Sequence, residues 1–230
     1  KTLASRLPEL DKVVYHNKLG TQGQRMHYVR TIAKTIAHQL GGAELTSQAN
    51  EAATLAKTDL LTDMVGEFPE LQGIMGRYYA QHEGLSDDIA FAIEDHYKPR
   101  FAGDELPRNP VGVCLALADK LETLINMFSI GEIPTGDKDP FALRRHALGV
   151  IRILIEKDLK LNLNDLIYNA IIQINNVSLP ATPGSNSKPK YDNHAVSKES
   201  GSELETFIYE RLAGSLREQG YTPQEVDAVL

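Results

Sequence analysis

Asp119 stands in the run Leu115-Ala116-Leu117-Ala118-Asp119-Lys120-Leu121. An ionised carboxylate in so apolar a setting is costly unless it is paired. Two chemistries explain it there. Either it belongs to an internal ion pair or helix-packing hydrogen bond, as buried acids mostly do, or it is a metal ligand at the centre of a helical bundle. His82, followed by Glu83 and Gly84, is in the same way either a second ligand or a solvated helix end. The other histidines show no ligand spacing: His27 and His38 are eleven apart, and no pair of the H-E-x-x-H kind occurs. The sequence contains no P-loop, no G-x-G-x-x-G and no G-x-S-x-G, so nothing in it resembles a nucleotide cradle or a nucleophile elbow.

The second chemistry-bearing set is basic. Arg144, Arg145 and Arg152 share one arc of a helical wheel with Gly149, and no acidic residue lies between Phe141 and Ile155. A helix face of three arginines and a glycine suits close approach to a phosphate backbone. The other reading is that they pair with some of the 31 acidic residues of the chain. Lys138 and Lys120 extend the patch if the fold brings them near.

The elements that must position these residues are helical. Apolar or small residues recur at Met26, Val29, Ile32, Ala33, Ile36, Ala37 and Leu40, the spacing of one buried helix face. Gly41 and Gly42 are expected to end that helix. Further helices are expected over residues 51–68, 71–79, 87–96, 111–128, 141–155 and 163–174, with Asp139 and Pro140 as N-cap and first residue of the one over 141–155. Gly73 and Gly76, three apart, suggest a close approach of that helix to a neighbour or a ligand. Strand signals are nearly absent, so the fold class is all-α. Residues 177–202 are rich in Pro, Gly, Ser, Asn and Lys and read as a linker or insertion. Residues 203–219 are amphipathic, and Thr222-Pro223-Gln224-Glu225 starts a last helix in capping-box form. The expected layout is therefore a helical domain over 1–176, a flexible segment over 177–202, and a helical hairpin over 203–230 that either packs back or begins the next domain.

Composition narrows the classes further. A chain of 230 residues, 42% hydrophobic and 24% charged, forms one large domain or one with a smaller piece. A single cysteine, Cys114, excludes an internal disulfide or a cysteine-based zinc cluster. No apolar run approaches the roughly 20 residues of a membrane span, and no signal peptide is visible, which points to the cytoplasm. The start at Lys1 and the end in apparent helix interior suggest a segment of a longer protein. A net charge of −7 argues against a wholly basic nucleic-acid binder but leaves room for a local basic face. The absence of Trp and an aromatic content of 7% offer little material for base stacking.

Several long motifs resemble the β subunit of bacterial glycyl-tRNA synthetases: Glu67-Phe68-Pro69-Glu70-Leu71-Gln72-Gly73-Ile74-Met75-Gly76-Arg77-Tyr78-Tyr79-Ala80, the run from Pro134-Thr135-Gly136-Asp137-Lys138-Asp139-Pro140 through Arg145, the segment Ala56-Lys57-Thr58-Asp59-Leu60-Leu61-Thr62, the loop Tyr97-Lys98-Pro99-Arg100-Phe101-Ala102-Gly103-Asp104, and Ala118-Asp119-Lys120. The likeness runs to about residue 174 and resumes at 207. It implies an α2β2 enzyme in which the α subunit activates glycine with ATP and magnesium while the β subunit handles tRNA(Gly). It also implies that this region is an HD-type helical domain without catalytic residues, leading toward an anticodon-binding region. Where that fold places its adjacent His-Asp metal ligands, this sequence has Ala56-Lys57. Asp119 matches the distant Asp of the pattern, and His82 matches an auxiliary His. A single surviving Asp holds no divalent metal usefully, so the rival reading, a metal-dependent HD phosphohydrolase, is disfavoured. Lys57 is expected to fill the vacated metal position and pair with Asp119.

Overall fold

The stretch from Val111 to Ala118 is apolar or small on every side, and a helix of that kind has to be covered all round. The computed structural model, which describes residues 1–179 and 195–229, places it at the centre as α5 (Pro110–Ser129), with every residue from Val111 to Phe128 buried. Asn109 caps its first turn, accepting from the Gly112 N–H at 2.8 Å, with Pro110 at the first helical position. Around α5 pack α1 (Gln22–Leu55), α4 (Asp87–Asp95), α6 (Leu143–Glu156), α7 (Leu163–Asn176) and α8 (Lys198–Glu218). The short α2 (Asp63–Glu67) and α3 (Ile74–His82) lie to one side, with α3 against α4, and α9 (Pro223–Val229) follows α8. The fold is an all-α bundle. Among the described residues its only sheet is a two-stranded antiparallel ribbon, β1 (Val14–His16) and β2 (Gly20–Thr21), preceded by a 3-10 helix over Ala4–Lys12. No helix of the described residues is long and apolar enough to cross a membrane.

Several expectations change. Gly41 and Gly42 break α1 without ending it: Gly42 takes φ +68°, and the helix resumes, because Ala49, Ala52 and Ala53 have a core to pack into. Residues 51–68 are not one helix. After Leu55 the chain forms a 3-10 turn over Thr58–Leu61 and then α2. The break lets the buried Asp59 carboxylate reach the N–H groups of Gly73 at 2.6 Å and Gly76 at 3.2 Å, at the start of α3. Gly76 approaches Ile93 of α4 so closely that an added Cβ would lie 2.7 Å from its Cγ2, a helix–helix contact of the kind the glycine spacing suggested. Helix α6 starts at Leu143, not at Pro140. Asp139 still serves its first turn, accepting from the N–H groups of Leu143 at 2.7 Å and Arg144 at 3.0 Å.

The expected linker over 177–202 is partly structured. Asn175 holds Val196 through both backbone groups, at 2.9 and 3.2 Å, Ser197 caps α8, and α8 therefore begins five residues before position 203. Residues 180–194 of that stretch lie outside the described residues. Helix α8 packs back on the bundle through Leu204, Phe207 and Ile208, the Phe207 ring standing edge-on to Phe128 at 5.2 Å. It shares the core of the preceding helices, so of the two expected placements it takes the one that packs back. The capping box at Thr222 and Glu225 forms.

Candidate functional site

Because α5 is covered on all sides, its polar residues are buried with it: Asp119, Lys120, Glu122 and Thr123 are each at most 5% exposed. Helix α1 supplies their main partner. Arg25 lies on the same stripe as Val29, Ile32, Ala33 and Ile36 and is itself buried. Its guanidinium meets Asp119 Oδ1 at 3.0 Å and Glu122 Oε2 at 2.6 Å, and donates to Thr123 Oγ1 at 2.8 Å. Lys57, just past the end of α1, brings Nζ to 3.3 Å from the same Asp119 oxygen and lies 3.9 Å above the Tyr97 ring. The pair expected from sequence is thus part of a larger cluster centred on Arg25. The signal for Arg25 was present, a cation on an apolar helical stripe, but its partners lie more than ninety positions away.

Burial sets the protonation of this cluster and the charges modulate it. Burial alone would raise the Asp119 carboxyl, but Arg25 and then Lys57 overcome it and hold the group well below the usual range. Burial lowers Lys57 to about 8 despite the attraction of Asp119. Lys120, also buried, falls to about 8 for the same reason. Burial pushes Glu122 up, against the pull of Arg25.

These residues do not suit a divalent metal. Around Asp119 stand Arg25, Lys57 and Lys120, and such an array repels a cation. Among the described residues no three His, Cys, Asp or Glu side chains converge as a metal would need. Lys57 and Asp119 are brought together, but His82 is not part of the group. It is exposed at the C-terminal turn of α3, where the neighbouring Glu83 accepts from the Leu3 N–H at 2.8 Å.

The arginine face is a separate feature. Arg145 is exposed and donates to the Arg100 carbonyl at 3.0 Å. Arg144 donates to the Gly136 carbonyl at 2.6 Å. Arg152 is neutralised in part: it pairs with Glu156 at 2.7 Å and donates to the Asp104 carbonyl at 3.1 Å. Glu156 lies just outside the acid-free stretch read from sequence. Lys138 is exposed in the loop before α6. Lys120 does not belong to the patch. It is 2% exposed, and its stem passes under Gly149, where an added Cβ would lie 2.7 Å from Lys120 Cε. Gly149 thus makes room for a buried lysine and not for a phosphate. Between α6, the loop of residues 99–103 and the end of α8 runs a groove of about 570 Å³ bordered by the three arginines.

Residues 1–230 match the family model of the glycyl-tRNA synthetase beta subunit. The chain belongs to that family. It is 62% identical to the glycine–tRNA ligase beta subunit of Nitrosomonas eutropha, over the whole chain and 32% of that protein. To the proteins of the same name from Thiobacillus denitrificans and a Janthinobacterium strain it is 60% and 63% identical, over the whole chain and 30% of each. The chain therefore spans under a third of the length of these curated relatives.

Proposed function

We propose that this region is a tRNA-binding, non-catalytic module of a glycine–tRNA ligase β subunit, supporting glycylation of tRNA(Gly) by an α2β2 enzyme whose α partner supplies the ATP- and magnesium-dependent chemistry. Membership of the beta-subunit family supports the assignment to glycyl-tRNA synthesis. The observation that carries the RNA reading is the state of Arg144 and Arg145. Both heads are fixed by backbone carbonyls, and among the described residues neither has a carboxylate within ion-pair distance, so their charge is aimed but not neutralised. Fixed, unneutralised guanidinium groups are what phosphate contact requires. The cluster at Asp119 supports the non-catalytic part, since Arg25 and Lys57 at its carboxylate repel a divalent cation.

The test is the salt dependence of tRNA affinity in the intact α/β enzyme. Each lost phosphate contact lowers the slope by roughly 0.7 to 0.9. An Arg144/Arg145/Arg152 charge-removed triple variant should lose about 1.5, most of it from the first two, because Arg152 already shares its charge with Glu156. An unchanged slope would refute the reading.

A further inference from the structure

We propose that the cleft over Lys57 and Asp119 receives one unpaired nucleoside of the RNA whose phosphates lie on the Arg144–Arg145 face. The inference rests on the RNA-binding reading above and adds a second, uncharged point of recognition to it. The cleft measures about 340 Å³, which suits one nucleoside-sized ligand. Its walls carry the rings of Tyr15, Tyr97 and Phe141; Arg25 lies over Tyr15, and Lys57 lies over Tyr97, which also stacks on His96, so Phe141 is the ring against which a base can pack.

The pattern of matched and unmatched groups selects the ligand. The positive charges at the floor are already answered: Arg25 by Glu122 and Asp119, Lys57 by Asp119. A free anion would find no unpaired cation there. Among the described residues of the cleft, what lacks a hydrogen bond, apart from the ion-paired Asp119 Oδ1, is neutral. Gln22 Oε1 and His146 Nδ1 are shielded from solvent without a hydrogen bond, and both residues line the cleft. Buried polar atoms of this kind call for a partner, and the edge of a base supplies donors and acceptors without charge. Gln72 stands exposed at the mouth with its amide available.

The arginine face leads to this cleft. Arg145 borders both the groove beside α6 and a middle cleft of about 380 Å³. Gln72 and Tyr97 border both that middle cleft and the one over Lys57. A strand held by its phosphates at Arg145 therefore has adjoining clefts, the middle one lined by Lys98 and Arg100 as well as Glu70 and Glu94, along which to present one base to Gln72 and Gln22.

Neutral contacts and phosphate contacts leave different signatures, so the two readings fail separately. In the intact α/β enzyme, Gln22→Ala, Gln72→Ala and their double variant are compared with wild type for tRNA affinity across a salt series and for melting temperature. Loss of the neutral contacts should weaken binding on the order of tenfold in the double variant, with the salt slope and the melting temperature unchanged. Wild-type affinity in the double variant, while the arginine triple variant still lowers the slope, overturns the nucleoside site and leaves the RNA-binding reading standing. An unchanged slope in the triple variant overturns both. Gln72 is exposed, so Gln72→Ala tests the site even if the change at Gln22 disturbs the start of α1.

Discussion

Asp119→Leu removes the carboxylate that Arg25 meets at 3.0 Å and Lys57 at 3.3 Å. The two cations do not lose equally. Arg25 keeps Glu122 at 2.6 Å, whereas Lys57 keeps the Tyr97 ring at 3.9 Å and the attraction of Asp59. Breaking a buried pair by deleting one member typically costs about 3 to 5 kcal/mol, and that is the expected loss for Asp119→Leu. Deleting Lys57 is different. Its fall from 10.5 to about 8 means that the folded state disfavours the ammonium by roughly 3 kcal/mol at neutral pH, with Asp119 already in place. Lys57→Met removes that penalty and leaves Asp119 paired with Arg25, so it should lie within about 1 kcal/mol of wild type or above it. Read from the sequence as a lone pair with Asp119, Lys57 would make Lys57→Met strongly destabilising; with Arg25 on the same carboxylate that expectation no longer holds. Adding Lys57→Met to Asp119→Leu should recover about 1 to 3 kcal/mol. Urea unfolding at neutral pH, followed by far-ultraviolet circular dichroism, measures all three variants. A Lys57→Met loss as large as that of Asp119→Leu would refute the reasoning, because it would mean that Arg25 does not hold the carboxylate.

Two further expectations concern the same buried charges. Lys57 and Lys120 both fall from 10.5 to about 8, so between those values the unfolded chain binds more protons and stability rises with pH. From about pH 7.5 to 9 the gain should be about 1 kcal/mol per lysine, and Lys57→Met should remove one share. Cys114, pushed from 9.0 up to about 12, takes back roughly 0.4 kcal/mol by pH 9, and Tyr15 and Tyr97, raised by burial, act in the same opposing sense at higher pH. Unfolding curves that stay flat from pH 7.5 to 9 would contradict the burial of both lysines. Gly149→Ala would place a Cβ 2.7 Å from Lys120 Cε and 3.0 Å from its Cδ. With Lys120 enclosed, the expected loss is about 1 to 3 kcal/mol, read from the urea midpoint; a wild-type midpoint would mean that the lysine stem has room to move.

The sequence by itself determined whatever depends on neighbours along the chain. The period of α1, the cap at Thr222 and the expense of an ionised Asp119 are local properties, because helix periodicity and capping act over three or four residues. They suffice for an all-α bundle with a carboxylate that must be paired. The resemblance of the motifs added Lys57 as a neighbour of Asp119, a relation that no local rule contains. Only the tertiary structure decided the rest. Arg25 reaches Asp119 across 94 positions, and nothing near either residue names the other. Lys120 and Arg145 both read as members of one basic patch, yet α5 is enclosed and the outer face of α6 is not, so one lysine is buried and one arginine exposed. Arg152 finds Glu156, one turn along its own helix and one residue beyond the window in which acids were absent. The end of the expected linker is ordered because Asn175 of α7 offers Val196 both a donor and an acceptor, which composition cannot reveal. In each case the deciding quantity is which surfaces meet, set by the packing of helices far apart in the chain, and a pattern confined to three or four residues carries no information about it.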